Sequence, residues 1–380
     1  MKSDLLRPSM TRYGPWHGQV TTEFGGLRRQ GVASCDNRGP VSLDERFDEL
    51  ATSLAGFHET WLVYVGIELG LLAALRDAGT DGLTPADLAE RTGCDGGVVE
   101  TWALAAHAYE LARHDGERLH IDRDAASVLL DQHLPEYLGG QFVHAAVASL
   151  DYDRLLDVVR TGRHVVDRPD RFRASIERLT VQDIAVFFQE ALAALPELTA
   201  DLARGIRAVD VHCGGGRWLI AMAKRFPESE FLGVESEHDS VGRARANVAE
   251  AGLADRIDIV EAEIPAVDRS TASFDLAYFQ YALHEGARSV ASLGAGWTSL
   301  RPGGRLVALD WCAPSSADEW LGLHGQFVAG IQLDLAIVGR RLATEEELAA
   351  MFRAAGIGDP DLIDLPSGAT LAVASKPGPG

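Results

Sequence analysis

The chain has 380 residues, a formal net charge of −21, 46% hydrophobic and 24% charged residues, enough for two domains with sizeable cores. So acidic a surface repels phosphate backbones and anionic membranes, which argues against nucleic acid and membrane as partners. Cys35, Cys94, Cys213 and Cys312 form no C-x-x-C pair, and no apolar run reaches about 18 residues, which points to a cytoplasmic protein with reduced thiols and against a disulfide framework, a zinc site or a membrane span.

Residues 1–45 are expected to be an extended or disordered tail. The first 40 hold six glycines, three prolines and few periodic apolar positions. The alternative is an arm or lid anchored by Tyr13, Trp16 and Phe24.

Residues 57–75 predict a helix that is apolar all round, through Trp61, Leu62, Tyr64, Val65, Ile67, Leu69, Leu71 and Leu72. Such a helix is buried in a core or against a partner chain. A second helix starts at Thr84, with Thr84 as N-cap, Pro85 at the first position and Asp87 at N3, and Gly93 ends it. A third is expected over Gly97–Arg113, and Glu117–Ile121 reads as a hairpin strand. Together these predict a winged-helix domain over 46–134. Residues 57–132 carry 14 Asp/Glu against 5 Lys/Arg. The helix placed to read a groove is nearly free of basic residues, so the domain is expected to dimerise and not to bind DNA.

Residues 135–195 predict a helical connector roofing a pocket, with core packing as the plainer role of its aromatic residues. From about residue 206 strands and helices alternate. Strands are expected at 207–211, 230–234, 257–261, 274–279 and 304–310, with a last pair near 361–365 and 369–374. Helical patterns at Trp218–Arg225 and Ser240–Ala251 fall between them. The fold class is therefore α/β: a Rossmann-like, doubly wound sheet over 196–380 behind an N-terminal α-helical winged-helix domain.

The densest signal is Val209-Asp210-Val211-His212-Cys213-Gly214-Gly215-Gly216-Arg217-Trp218, with Gly233-Val234-Glu235 19 residues after Gly216. A strand runs into a glycine-rich turn and a helix, and an acid closes the next strand. That is the logic of a nucleotide cradle, in which glycines admit the ligand and the acid takes ribose hydroxyls. Downstream come Glu263, within Ile259-Val260-Glu261-Ala262-Glu263, then Phe274-Asp275-Leu276-Ala277-Tyr278. Leu300-Arg301-Pro302-Gly303-Gly304-Arg305-Leu306 and Gly339-Arg340-Arg341-Leu342-Ala343-Thr344-Glu345-Glu346-Glu347-Leu348 follow.

In this order the chain resembles class I S-adenosylmethionine-dependent methyltransferases over about residues 50–375. More narrowly, it is similar to small-molecule O-methyltransferases with an N-terminal winged-helix dimerisation domain. The resemblance implies a homodimer of secondary metabolism using S-adenosyl-L-methionine and no metal. It implies cofactor contacts from Asp210, His212, Gly214, Gly216, Glu235, Ser236, Glu263, Ile264 and Phe279. It also implies His284 as general base, in Tyr281-Ala282-Leu283-His284-Glu285, with Glu285 and Asp310 beside it. Asp334 is a further candidate to orient base or substrate. Trp61, Phe142, Phe188, Tyr281, Trp311 and Asp334 are expected to line the substrate pocket, with Tyr64 and Phe187. This stock of aromatic residues suggests an aromatic or polyketide-like acceptor.

His212 departs from the family, which has glycine there. Either the turn holds it at negative φ, or its imidazole crowds the cofactor's amino-acid end. Three other functions stay open: a carbon methyltransferase for 2-keto acids, a non-methylating enzyme on the same scaffold, and a DNA-binding regulator. An iron-dependent variant would need a second histidine where Leu333 stands.

Overall fold

The C-terminal half alternates short apolar strands with helices, and in the computed structural model these close into one twisted sheet. The structure describes residues 42–165, 168–262, 274–284 and 286–378. Residues 1–41 of the expected tail, Glu263, Ile264 and Glu285 lie outside them, and the last residues of that tail, 42–45, cap and begin the first helix.

At the N-terminus, α1 (Leu43–Glu68) starts on a capping box between Ser42 and Glu45. The helix expected over 57–75 is two helices. Gly70 adopts φ +71°, which a right-handed helix excludes, and α2 (Leu71–Ala78) begins after it. Of the residues expected to be apolar all round, Leu71 and Leu72 are buried, Trp61, Leu62, Tyr64, Val65 and Ile67 are half-buried and Leu69 is exposed; ahead of them Leu43, Phe47, Leu50, Leu54 and Phe57 of α1 are exposed. α3 (Pro85–Thr92) has the expected Thr84 cap, whose Oγ1 accepts from the Asp87 N–H at 3.1 Å, and it ends at left-handed Gly93. α4 (Gly96–Ala108) stops short of Arg113. Glu110 turns left-handed, and the chain enters an antiparallel hairpin of β1 (Ala112–Asp115) and β2 (Arg118–Ile121). α5 (Arg123–Leu130) follows. Leu71, Leu72, Leu75, Leu88, Trp102 and Leu119 form the core of this unit.

The connector is α6 (Gly139–Ser149), α7 (Arg154–Thr161), α8 (Asp170–Leu179) and α9 (Val181–Val186). A π-turn over Phe187–Ala191 then leads to α10 (Leu192–Ala194) and α11 (Pro196–Arg204). The C-terminal unit runs β3 (Arg207–Val211), α12 (Arg217–Arg225), β4 (Glu230–Glu235), α13 (His238–Glu250), β5 (Ile257–Glu261) and β6 (Phe274–Gln280). It continues with α14 (Ala287–Ser299), β7 (Leu300–Asp310), α15 (Leu323–Ile337), α16 (Glu345–Ala354), β8 (Asp361–Asp364) and β9 (Thr370–Ser375).

The seven strands lie in the order β5-β4-β3-β6-β7-β9-β8. β3 pairs parallel to both β4 and β6, and β9 is antiparallel to its two neighbours. Strand order reverses between β3 and β6, so a crevice opens at their carboxyl ends, where open α/β sheets place ligands. One face of the sheet packs on Phe187, Trp218, Leu219 and Tyr278, with the Trp218 and Tyr278 rings stacked at 4.2 Å. The other packs on Phe279, Leu293, Leu348 and Phe352.

Candidate active site

The carboxyl ends of β3, β4, β6 and β7 bring most of the expected residues to one rim. β3 is buried from Ala208 to Val211 and delivers Asp210, which is 3% exposed, to the crevice. The turn that follows needs left-handed backbone at Gly214 (φ +51°) and Gly216 (φ +73°). A Cβ on Gly214 would meet nothing within 4 Å, so the space over this turn is open to a ligand.

Glu235 ends β4 with only 8% of its surface exposed. Its Oε2 accepts from the Gly214 N–H at 3.0 Å, and its Oε1 accepts from the N–H groups of Ser236 at 2.8 Å and Glu237 at 3.0 Å. The acid thus ties the glycine turn to β4. A carboxylate has about four acceptor sites, so three are already used. One ribose hydroxyl can bond without displacing a backbone donor, whereas the two expected from sequence require one to move.

Among the described residues no side-chain or backbone donor bonds the Asp210 carboxyl. Burial, and then the charge of Glu235, push its carboxyl well above the usual range. A cationic ligand group beside it would reverse that, as the ammonium of an amino-acid moiety does. The Cys213 thiol is pushed up by burial and by the same two acids, so it is inert.

His212 is left-handed, with φ +65°, which removes the reading that this turn tolerates it at negative φ. The imidazole is tied at Nε2 to Ser292 Oγ of α14 at 3.2 Å. Phe279 is fully buried against α14, where a Cβ on Gly296 would touch its ring, so it supports the sheet from below and does not face the cofactor side.

At the rim past β6, His284 Nε2 lies 2.7 Å from Asp310 Oδ1. Asp310 ends β7 and is 3% exposed. It also accepts from the Trp311 N–H at 2.8 Å and from the Leu283 N–H at 3.4 Å. With Asp310 ionised, Nε2 is the donor, and Nδ1 of the neutral ring carries the lone pair. This carboxylate–imidazole pair has the geometry of an oriented general base. The adjoining cleft of about 460 Å³ is lined by His284, Gly286, Arg288, Gly339, Arg340 and Arg341, and is polar where sequence suggested aromatic walls.

The expected substrate residues do not converge there. Trp61 packs edge-on against Tyr64 of its own helix. Phe142 packs on the N-terminal core, and Phe188 lines an outer hollow with Leu192, Lys224 and Phe226. Asp334 accepts from Arg168 at 3.0 Å, and Arg168 also bonds Asp151 at 3.2 Å. It is therefore engaged with that cation and not with His284. Tyr281 and Trp311 do lie beside the dyad, and the Trp311 Nε1–H donates to the Tyr281 hydroxyl at 3.1 Å.

Sequence reading missed two features. One is Asp183, a buried carboxylate of α9 that accepts from Gln280 Nε2 at 3.2 Å. A charge within the apolar run Val181-Gln182-Asp183-Ile184-Ala185-Val186-Phe187 was the available signal. The other is a set of ion pairs holding α8 over the glycine turn. In it Glu177 meets Arg243 at 2.9 Å, and Arg173 meets Glu237 at 3.0 Å.

Residues 208–304 match the sequence profile described as a methyltransferase domain. This segment is a methyltransferase domain. Around it, the chain is similar to the 24-methylenesterol C-methyltransferase 2 of Oryza sativa subsp. japonica, at 31% identity over 44% of this chain and 46% of that protein. It is likewise similar to the aclacinomycin 10-hydroxylase RdmB of Streptomyces purpurascens, at 31% identity over 58% of this chain and 59% of that one. The chain thus spans about half the length of these two relatives. Among solved structures, PigF with SAH aligns at TM-score 0.68 and 19% identity, covering 89% of this chain and 100% of that chain. Human N-acetylserotonin methyltransferase in complex with SAM aligns at 0.68 and 17%, with the same coverage. The methyltransferase domain and the helical unit before it therefore share the fold of these proteins, a class I sheet behind an N-terminal helical domain. Among the described residues no helix is long and apolar enough to cross a membrane.

Proposed function

We propose that the protein is an S-adenosylmethionine-dependent methyltransferase acting on a hydroxyl of a small molecule, with His284 as general base. The observation that carries this reading is the 2.7 Å contact between His284 and Asp310, on the same sheet rim as the Glu235-tied glycine turn. S-adenosylmethionine supplies an electrophilic methyl group. The turn at Gly214 and the acids Asp210 and Glu235 hold its amino-acid and ribose ends. His284 Nδ1 takes the acceptor proton as oxygen attacks, and Asp310 keeps the ring oriented and offsets the charge it gains. An aromatic or polyketide-like metabolite is the acceptor class we favour. The relatedness to RdmB and the fold shared with the mitomycin 7-O-methyltransferase MmcR support it.

The test is incubation of the full chain with S-adenosylmethionine and a panel of hydroxylated aromatic compounds, read by mass spectrometry. A product heavier by one methyl group is expected, and His284→Ala should lower kcat by about 10²- to 10⁴-fold. Undiminished turnover in that variant removes His284 as base. The relative named as a hydroxylase favours a second reading, an enzyme on this scaffold that does not methylate. A product heavier by one oxygen atom would establish it.

The partner we infer is a second copy of the chain. Leu43, Phe47, Leu50, Leu54 and Phe57 recur every three or four residues along α1 and are 50–85% exposed, the spacing of a helix–helix seam.

A further inference from the structure

Against the end of β6 lies one buried acid that the reaction above does not use. Asp183, on α9, is 7% exposed. It is bonded to the last residue of β6, Gln280, which donates its amide, and the hydroxyl of the next residue, Tyr281, lies close by and favours its charged form. The Tyr278 hydroxyl in turn donates to Gln280 Oε1 at 3.2 Å. The groups facing Asp183 are Tyr278, Gln280 and Tyr281 from the β6 segment and Asp310 from β7, with Asp210 of β3 beyond Tyr278. None is a cation, and no Lys or Arg pairs with Asp183 among the described residues. Burial and the neighbouring Asp310 charge push its carboxyl up to about 7.

The cofactor reading places a permanent cation in the crevice. S-adenosylmethionine bound with its ribose at Glu235 and the acceptor at His284 would bring its sulfonium to the rim between β4 and β6, and Gln280, which ends β6, bonds Asp183. A sulfonium has no N–H or O–H to donate, so beyond the room its extra methyl needs, charge is the main feature by which a protein tells it from a neutral thioether. Resting on the proposed function, we propose that Asp183 is the specificity residue for the sulfonium: it gives up its proton as S-adenosylmethionine binds and takes one back when the thioether product is formed. The proton passes to solvent on binding and returns from solvent after transfer, so charge balances in both states. The product then lies beside a neutral acid and loses the attraction that held the cofactor.

The test is calorimetric titration of the full chain with S-adenosylmethionine and with S-adenosylhomocysteine, in buffers of different ionisation enthalpy, from pH 6 to 8. The α-ammonium is common to both ligands, so the difference in protons released reports the sulfonium alone. The expected excess release for S-adenosylmethionine is about one proton at pH 6 and about half a proton at pH 7, fading by pH 8. Asp183→Asn should abolish the excess and weaken S-adenosylmethionine about tenfold or more relative to S-adenosylhomocysteine at pH 8. Equal proton counts for the two ligands in the unaltered protein would overturn the role of Asp183 while leaving the cofactor reading intact. Binding of neither ligand would overturn both. The first comparison needs no variant, so a variant that fails to fold does not block the test.

Discussion

Single residues carry the departures from expectation. His212 holds a left-handed backbone that glycine adopts without strain, and its tie to Ser292 offsets part of that cost. His212→Gly should therefore be near neutral in a urea melt, whereas His212→Val, β-branched and unable to make the bond, should lose about 2 kcal/mol. Equal stability of the two variants would show that the turn is not left-handed in solution. Asp183 gives a signed pH dependence. Its folded carboxyl titrates near 7, above its unfolded value, so the folded state binds the extra proton between these two values. Its stability contribution is full below the unfolded value and is lost as pH rises through about 7. Asp183→Asn should thus gain stability over the parent protein between pH 5 and 8, and a pH-independent difference would contradict the assignment. The places of Glu235 at the end of β4 and of His284 just past β6 were legible, the first from its spacing after the glycine turn and the second from the family resemblance. Asp183 was not, because only the fold brings α9 against the end of β6.

At the scale of elements, strands β3 to β9 were legible within a few residues, since apolar runs bounded by turns encode them directly. The break at Gly70 and the early end of α4 were not. Both depend on single left-handed residues, Gly70 and Glu110, whose conformation the apolar pattern does not reveal. The aromatic pocket failed for a related reason: Phe142 and Phe188 are spaced like any core residue, and packing decided which core took them. Between elements, the buried Arg168 bonds both Asp151, just past α6, and Asp334 of α15, and its guanidinium lies 3.6 Å from the centre of the Phe172 ring. Removing it leaves Asp334 without its guanidinium partner, while Asp151 keeps its ion pair with Arg171, so Arg168→Ala should cost about 3 kcal/mol in chemical denaturation, the low end for a broken buried pair. A cost below 1 kcal/mol would mean that water reaches this cluster.

At the scale of the molecule, two surfaces set behaviour. The apolar seam of α1 is open in one chain, and the net charge of −21 keeps copies apart elsewhere. The account predicts a dimer by light scattering and a monomer for the double variant Leu50→Asp and Phe57→Asp; a parent protein that is already monomeric contradicts the seam. The central claim concerns the other surface, the crevice where strand order reverses. It is tested most directly by equilibrium titration of the full chain with S-adenosylhomocysteine and competition by S-adenosylmethionine. The account predicts saturable, mutually exclusive binding of one ligand per chain, lost in Glu235→Ala; an absence of binding by either compound to the unaltered protein would contradict it.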